Sequence, residues 1–583
     1  MSQHESVSFR GVFPDLFLLF LVALAVRCIG LRWGLPSAEH WYSYHPDERQ
    51  IAVGVANLNF FAGDFNPNFF NYPSLYIYLT YVLYAVASGL GLTHQLAPNA
   101  PPVIWPFLHD ITLTGRIVTA VLGAATVPLV YLIGREISGH RFALLAALLM
   151  AFLPGHVQHS HFATVDVPAT FFVALSLYFA VRALRIGGEH SGSWPAKQLL
   201  ITAGLAGLAA ATKYNGGLVL VAPLVSWFLL SRRGLPKSGA SLVLMLAAAV
   251  LGFLLGCPFS VLSFQEFWGD GKINGVAYEL LVHPRQGSGD IFAGTGNGWW
   301  YHLSFNLPFV MTWPLLVVAL LGITGAVLYR TRFGLRIQSA PLPLQSTALL
   351  PLLAWTVLYF GTLGLSAVRF MRYTLPLMPG LCIFIMGGVM LLLYATGSTA
   401  RGRRWLPVTA SLLYNPLWVI MVVGSMTVLA PFVATDPRDQ AAEFFPSLEK
   451  TPTTIGLVSP PWFWTPPLSP QDAPPGSGTV VTGSPDGRYK FAVTGFDTTK
   501  LQRMQPQWFV MSEYEWIDKE RLNEPGYKKF MAALRREYTL AARFSSPFAD
   551  EPGYVPHDFL YTHPTIRIYR RGQVPPLIRT NAM

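Results

Sequence analysis

The chain has 583 residues, of which 52% are hydrophobic and only 12% are charged, and its mean hydropathy is +0.40. Because a soluble globular domain carries about 25% charged residues, this composition excludes an ordinary soluble protein. Repeated apolar segments, each near the roughly 20 residues that cross a bilayer, predict a membrane protein with many spans. The net charge of +11 does not indicate nucleic-acid binding, because Lys and Arg cluster in short loops between apolar segments, as the positive-inside rule describes.

The first apolar segment, residues 14–33, is followed by no small-residue cleavage site, so we expect a retained span. The loop after it, residues 34–71, contains His45-Pro46-Asp47-Glu48 and is rich in Asn, Pro and aromatic residues. Charged groups at a membrane boundary are costly to bury and commonly mark a functional site. The sequence therefore predicts a structured outer loop that covers a cavity in the membrane domain.

The basic loops from Arg135 onward predict a consistent orientation for the later segments, with a long loop at 257–306 on the outer side. The front of the chain does not fit this orientation. If segments 72–92 and 114–134 both cross, the turn from Arg135 to Arg141 lies outside, against its charge. Either one segment does not fully cross or another stretch re-enters the membrane. We expect a mainly α, polytopic bundle of 11–13 spans over residues 1–433.

Residues 434–583 differ in composition from the bundle, because charged residues and prolines become more frequent. Short strand-like runs alternate with helix-like stretches such as Lys528–Tyr538. The strand-like runs are Thr454–Val458, Phe491–Thr494, Trp508–Ser512 and Thr565–Tyr569. This mixture predicts a small α/β domain, which the charge pattern puts on the outer side.

Polar residues from distant parts of the chain are predicted to meet at the outer face. They are the acids Asp47, Glu48, Asp166 and Glu279, the cations Lys213, Arg369 and Arg372, and His283. A carboxylate there can deprotonate an acceptor hydroxyl or amine, while cations stabilise an anionic leaving group such as a lipid phosphate. Arginine suits the second task because its guanidinium offers several donors.

Simpler interpretations of these residues stay open. Asp166 precedes Pro168 and is typical of a helix N-cap, Lys213 is typical of a lysine that snorkels to the interface, and Glu48 is open to a supporting role beside Asp47. The histidines His156, His159 and His161 lie near Asp166 and fit either a metal site or interfacial hydrogen bonding. Arg369 and Arg372 are less typical of lipid anchors, because they fall on the side that the positive-inside rule disfavours.

The sequence resembles the polyprenol-dependent membrane glycosyltransferases of the C-type fold over residues 12–395. Within them it is most similar to the branch of the dolichyl-phosphate-mannose protein mannosyltransferases and the bacterial lipid A aminoarabinose transferases. The motifs are Tyr44-His45-Pro46-Asp47-Glu48, Asn71-Tyr72-Pro73-Ser74-Leu75, Gly115-Arg116, Gly134-Arg135-Glu136, Asp166-x-Pro168, Lys213-Tyr214-Asn215 and Arg372-Tyr373-x-x-Pro376-x-x-Pro379.

The resemblance implies an inverting transfer of a sugar from a polyprenyl-phosphate donor to a protein, lipid or glycan acceptor at the extracytoplasmic face of the cell (inner) membrane. It implies that Asp47 is the catalytic base, with Glu48 and Asp166 as further acids. The donor phosphate is expected at Arg372, Arg369, Lys213 and Arg116, and the substrate loop is expected to use His45, Asn71, Tyr72, Glu279 and His283.

One departure from the pattern bears on the sugar and on metals. Where the aminoarabinose transferases carry an acidic–basic pair, this chain has Asn71-Tyr72, which argues against aminoarabinose and against a metal site of their kind. The sequence implies no cofactor and leaves a divalent metal open. The alternative function is a transporter or flippase for a lipid-linked or anionic substrate, which would need polar residues deep in broken helices of matching halves.

Overall fold

The computed structural model describes residues 9–94, 105–189, 194–232, 239–329, 342–397, 400–445, 452–473, 477–546, 555–562 and 564–572. The front half of the bundle contains α1 (Phe9–Cys28), α2 (Glu48–Ala56), α3 (Leu75–Gly89), α4 (Trp105–Ser138), α5 (His140–Ala151), α6 (Pro154–His159), α7 (Asp166–Glu189), α8 (Trp194–Thr212), α9 (Val221–Arg232) and α10 (Gly239–Gly256). The helices α1 and α3 flank the predicted first loop, residues 34–71, which contains α2 and a short 3₁₀ turn at Phe60–Ala62.

The second half of the bundle begins with the long loop that the sequence predicted at residues 257–306, and the structure shows that short helical turns make up this loop. Its elements are α11 (Phe259–Leu262), α12 (Phe264–Trp268), α13 (Gly275–Ala277), α14 (His283–Gln286), α15 (Gly298–Tyr301), α16 (Leu307–Met311), α17 (Trp313–Leu328), α18 (Leu342–Gln345), α19 (Leu349–Leu365), α20 (Met378–Gly397) and α21 (Ala400–Val433). A 3₁₀ segment at Met371–Leu377 leads directly into α20.

The remaining elements form the small α/β domain that the sequence predicted. They are α22 (Pro437–Phe444), β1 (Thr453–Leu457), β2 (Tyr489–Val493), α23 (Thr498–Met504), β3 (Trp508–Ser512), α24 (Glu513–Arg521), α25 (Pro525–Glu537), β4 (Tyr538–Phe544), α26 (His557–Leu560) and β5 (Ile566–Arg571). The sheet order is β2-β1-β3-β5-β4, with β1 parallel to β2 and β3, and β5 antiparallel to β3 and β4. All four predicted strands are present. The strand β4 was not predicted, because its first residue, Tyr538, was included in the helix-like stretch predicted at Lys528–Tyr538.

Six helices among the described residues are long and apolar enough to cross a membrane, or seven if the bent pair Gly298–Met311 and Trp313–Leu328 is one span. Shorter apolar helices, including α5 and α19, pack among them. Small residues allow close packing: an added Cβ at Gly207 of α8 or Gly252 of α10 would collide with the backbone of the other helix. Such small-residue contacts are typical of helix packing in membranes.

Helix α4 runs antiparallel to α1 and defines the two ends of the bundle. The Nη1 of Arg116 donates to the carbonyl oxygen of Leu31, just after α1, at 2.9 Å. The hydroxyl of Tyr131 donates to Oδ2 of Asp15, near the start of α1, at 2.9 Å. We call the end of the bundle at which α1 ends the first-loop end.

Helix α3 lies entirely at the first-loop end and does not cross the bundle. At its start, the hydroxyl of Tyr76 donates to the carbonyl oxygen of Gly115 in α4 at 2.8 Å. Near its end, the ring of Tyr84 packs edge-on against Phe107 of α4, with centroids 5.6 Å apart. Both contacts involve the part of α4 that precedes Arg116. The conflict in the predicted topology is therefore resolved, because segment 72–92 does not cross and the basic turn after α4 lies at the opposite end.

Candidate active site

Arg372 brings together three carboxylates from three distant parts of the chain. Its Nη2 lies 2.8 Å from Oδ2 of Asp47, and its Nε lies 3.7 Å from Oδ2 of Asp166. Its Nη1 is paired with Oδ1 of Asp558, and its main-chain N–H donates to Oδ2 of Asp558 at 2.9 Å. The 3₁₀ backbone before α20 thus holds the guanidinium at the first-loop end. The three carboxylates have very different access to solvent.

Among these carboxylates, Asp47 is the one that a substrate can reach. Its side chain is 22% exposed, whereas the side chains of Asp166 and Asp558 are 3% and 0% exposed. Asp47 occupies the N-cap position of α2, but its side chain makes no capping hydrogen bond. Its carboxylate is therefore held by Arg372 and is not used to cap the helix.

The electrostatic environment of Asp47 combines burial with charges of both signs. Burial raises the pKa of the Asp47 carboxyl above its ordinary value, the charge of Arg372 lowers it, and the charges of Asp166 and Asp558 raise it again. The net direction is upward. A carboxylate with a raised pKa is a stronger base than an exposed one, provided that it is ionised at the working pH.

Lys213 completes the cluster beside Asp166. Its Nζ is paired with Oδ1 of Asp166 and lies 4.0 Å from the centroid of the Tyr373 ring. The lysine side chain is 12% exposed. The simpler interpretations were that Lys213 snorkels to the interface and that Asp166 caps a helix. Neither accounts for the ion pair between the two residues or for their contacts with Arg372 and Tyr373.

Glu48 and Arg116 were expected to act on the substrate, but the structure places them inside the protein. Both side chains are 0% exposed. Nε and Nη2 of Arg116 donate to Oε1 and Oε2 of Glu48, each at 2.7 Å, and the backbone N–H of Ala163 also donates to Oε1 at 2.7 Å. This bidentate pair joins α2 to α4, and it does not line the space beside Asp47. The supporting role that the sequence left open for Glu48 is the one that its contacts fit.

Arg369 lies apart from Arg372. Its Nη1 donates to the hydroxyl of Thr295 at 2.7 Å and to the carbonyl oxygen of Gly296 at 2.9 Å. It therefore fixes the 289–296 turn of the long loop. Arg372 contacts three carboxylates, whereas Lys213 is paired with one, that of Asp166. The donor-phosphate contact expected at these cations stays a prediction.

The predicted substrate-loop residues form two groups. The amide Nδ2 of Asn71 donates to Oε1 of Glu279 at 3.3 Å, and Nδ1 of His283 lies 3.3 Å from Oε2 of the same carboxylate. His45 and Tyr72 belong instead to the surroundings of Asp47. The first group links the loop at residues 34–71 to the loop at residues 257–306, so the two loops lie at the same end of the bundle, as predicted from the sequence.

His45 and Tyr72 are neutral neighbours of Asp47. The backbone N–H of Asp47 donates to Nδ1 of His45 at 3.3 Å. Burial first, and then the charge of Arg372, lowers the pKa of the His45 imidazole well below its ordinary value. Burial first, and then the charge of Asp47, raises the pKa of the Tyr72 phenol. Because both side chains stay uncharged near neutral pH, Arg372 and Lys213 supply the positive charge around Asp47.

The histidines near Asp166 do not converge on a metal position. Nδ1 of His156 lies 3.0 Å from Nη2 of Arg27 and accepts its hydrogen. The two ring nitrogens of His161 lie 2.8 and 2.9 Å from the carbonyl oxygens of Val157 and Ile29. Asp166 is paired with cations. The sequence-based hypothesis of a metal held by this histidine cluster is therefore not supported by the geometry, and a metal at the reaction site stays a prediction.

Asp558 is the site residue that the sequence did not reveal. It lies in α26 of the C-terminal domain, 186 positions from Arg372. Its only local signal is an acid in the segment Pro556-His557-Asp558, which is equally typical of a surface helix start. A charged residue is rarely 0% exposed unless it is paired, so burial identifies it and sequence alone does not.

Comparisons with known proteins support the family resemblance. Residues 108–255 match the family model of dolichyl-phosphate-mannose-protein mannosyltransferases. Over 171 residues the chain is 32% identical to dolichyl-phosphate-mannose–protein mannosyltransferase 1 of Saccharomyces cerevisiae, a match that covers 27% of this chain and 20% of that protein. The chain thus spans about a fifth of the length of this curated relative. The resemblance expected from the motifs is confirmed for this segment, which includes Arg116, Asp166 and Lys213.

Two solved structures are among those to which this chain shows some similarity. The archaeal oligosaccharyltransferase AglB of Archaeoglobus fulgidus, in complex with an inhibitory peptide and a dolichol-phosphate, has a TM-score of 0.49 and 13% identity, and the match covers 97% of this chain and 89% of that one. ArnT of Cupriavidus metallidurans, bound to undecaprenyl phosphate, has a TM-score of 0.44 and 16% identity, covering 95% and 98%.

Proposed function

We propose that this chain, whose residues 108–255 match the family model of dolichyl-phosphate-mannose-protein mannosyltransferases, is a membrane glycosyltransferase that uses a polyprenyl-phosphate-linked sugar. The observation that carries the proposal is the exposure of Asp47 within an otherwise buried set of carboxylates around Arg372. A site that must take one proton from an incoming acceptor needs one reachable base. The buried acids and the guanidinium then hold that base in place.

The reaction assigned to the site is a single displacement with inversion. Asp47 takes the proton of the acceptor hydroxyl, and the acceptor oxygen forms a bond to the anomeric carbon. The bond between that carbon and the phosphate oxygen breaks, and polyprenyl phosphate leaves with the electron pair. Lys213, which is 12% exposed and turned toward Asp166, is the cation assigned to the leaving phosphate, whose growing negative charge it stabilises.

The direction of the site and its acceptor are part of the same proposal. The first-loop end is assigned to the extracytoplasmic side of the cell membrane, since Arg135 at the end of α4 and Arg185 near the end of α7, which pairs with Glu136, lie at the opposite end. A hydroxyl-bearing peptide is the first acceptor to test, because the similar yeast protein is named as a protein mannosyltransferase. The transporter alternative is not favoured, because the described charged cluster lies at one end of the bundle and not at mid-depth.

The test is a transfer assay with purified protein in lipid nanodiscs. Radiolabelled polyprenyl-phosphate mannose and a serine- and threonine-containing peptide are supplied, and released polyprenyl phosphate and labelled peptide are both measured. We expect Asp47→Asn to lower turnover by about 10²-fold or more, as for loss of a general base, while donor binding is kept. Asp64→Asn is the matched control, because Asp64 is an exposed acid of the same loop.

Two results would contradict parts of the proposal separately. Near-normal turnover in Asp47→Asn would remove Asp47 from the role of base but leave the reaction intact. No release of polyprenyl phosphate from a panel of sugar donors, by protein that elutes as a single folded species, would contradict the glycosyltransferase function itself.

A further inference from the structure

A second group of ligand-type side chains lies at the start of α4, apart from the Arg372 cluster. Nδ1 of His94 lies 2.9 Å from Oδ1 of Asp110, and Nδ1 of His109 lies 3.1 Å from the same oxygen. The three candidate ligand atoms all lie within 4.8 Å of one another. Among the described residues, this is the group of His, Cys, Asp and Glu side chains whose spacing fits one ion.

The two nitrogen–oxygen distances are close to the edge of a tetrahedral coordination shell. Zinc binds imidazole nitrogen at about 2.0–2.1 Å and carboxylate oxygen at about 2.0–2.2 Å, which places tetrahedral ligand atoms about 3.3 Å apart. The two nitrogen–oxygen distances are only slightly shorter than that edge. A small outward movement of the rings would therefore admit the ion. Two imidazoles with one carboxylate form a ligand set that zinc prefers.

The carboxylate is already oriented for this role. The backbone N–H of His94 donates to Oδ2 of Asp110, which leaves Oδ1 directed toward both imidazoles. Hydrogen bonds of this kind fix metal ligands and strengthen binding. The side chains of His94, His109 and Asp110 are 47%, 21% and 9% exposed, so the group is open to solvent on one side. That open side gives the ion a path of entry and a position for a water ligand.

We propose that His94, His109 and Asp110 form a binding site for one divalent transition-metal ion of the zinc class. The ion would replace the protons that now join the two imidazoles to the carboxylate. It would tie the chain that leaves α3 to the second turn of α4, and so fix the connection between these helices. Because none of its residues belongs to the Arg372 cluster, the site does not depend on the proposed reaction.

The test measures zinc directly on the full chain in detergent after removal of metal by a chelator. We expect His94→Ala and His109→Ala each to bind one equivalent of Zn²⁺ less than the unmodified protein, or to bind that equivalent more than about 10-fold more weakly. His140→Ala is the matched control. His140 is 46% exposed and lies 3.5 Å from the carboxylate of Asp15, and among the described residues this pair has no third His, Cys, Asp or Glu ligand beside it.

A second measurement keeps the proposal testable if a variant is unstable. Added Zn²⁺ should raise the thermal unfolding temperature of the unmodified protein and of His140→Ala, but not that of His94→Ala, whose exposed ring is the least demanding to remove. Co²⁺ in place of Zn²⁺ should give the visible absorption of a tetrahedral site, which His94→Ala abolishes. Equal zinc content in His94→Ala, His109→Ala and His140→Ala would overturn the proposal.

Discussion

At the scale of single residues, Asp47 differs from the acids around it in how its negative charge is balanced. It shares one guanidinium with Asp166 and Asp558, so the three carboxylates exceed the two cations, Arg372 and Lys213, that the structure places among them. Excess negative charge and burial both favour the protonated form of a carboxyl. Asp47, the proposed base, is thus largely shielded from water but keeps one exposed side.

The first prediction at this scale concerns the pH dependence of transfer. Since the pKa of Asp47 is raised in the folded protein, the base is lost as the pH falls through a value above the ordinary pKa of aspartate, about 3.9. Lys213 lowers the pKa of Asp47, so Lys213→Met should move the acid limb of the kcat/KM profile to higher pH. Lys213→Arg, which keeps the charge, is the control and should leave the limb in place. An acid limb that is the same in Lys213→Met and the unmodified protein would exclude this electrostatic coupling.

Residue identity along the chain predicted part of this site. Asp47, Asp166, Lys213 and Arg372 were all expected at one face, because basic loops orient the segments that carry them. The individual contacts were not predictable, since Glu48 and Asp47 are adjacent in sequence and yet differ completely in burial. This difference in burial depends on the direction in which each side chain leaves the start of α2. No pattern of charge or hydropathy in the sequence encodes that direction.

At the scale of elements, the Glu48–Arg116 pair attaches the short helix α2 to the long helix α4. Arg116 also donates through Nη1 to the carbonyl oxygens of Leu31 and Trp33, so one guanidinium holds both the exit from α1 and the start of α2. The residue before Glu48 is Asp47, so this attachment also fixes the backbone position of the proposed base. A buried pair of this kind fixes geometry even where its net contribution to stability is small.

Breaking this attachment should destabilise the protein far more than breaking a comparable pair nearer the surface. Glu48→Gln leaves the Arg116 charge buried and uncompensated, which costs about 3–5 kcal/mol. Glu136→Gln is the control, because Glu136 pairs with Arg185 at 2.9 Å where the arginine is 37% exposed, and such pairs contribute about 0–1 kcal/mol. Thermal unfolding in detergent, followed by loss of the monodisperse species, measures the difference. Equal unfolding temperatures for the two variants would show that α2 is held by other contacts.

At the scale of the whole molecule, the C-terminal domain is part of the candidate site. Asp558 pairs with Arg372, and Nε2 of Gln158, at the end of α6, donates to the carbonyl oxygen of Asp558 at 3.3 Å. Nε1 of Trp33, in the chain between α1 and α2, donates to Oδ2 of Asp436 in the C-terminal domain at 3.1 Å. The small α/β domain and the bundle therefore meet around the buried face of the carboxylate cluster.

The overall architecture was more predictable than this meeting of domains. Composition and charge pattern predicted the bundle, the two loops at one end and the mixed domain, because each has a periodicity or composition of its own. The position of α3 was not predictable from hydropathy, since an apolar helix of 15 residues resembles a span until its contacts with α4 are known. The docking of Asp558 depends on contacts between residues far apart in sequence, for which a single chain gives no signal.

If the C-terminal domain tunes the base through Asp558, removing that charge should shift the pH profile in the direction opposite to Lys213→Met. The charge of Asp558 raises the pKa of Asp47, and Asp558→Asn also leaves Arg372 with fewer carboxylates to balance. Both effects lower the pKa of Asp47, so the acid limb of kcat/KM should move to lower pH. Asp486→Asn, at a 44% exposed position of the same domain, is the control. A domain that only stabilises the bundle would give a lower unfolding temperature in Asp558→Asn with an unshifted acid limb, and that result would refute the electrostatic effect of Asp558 on Asp47.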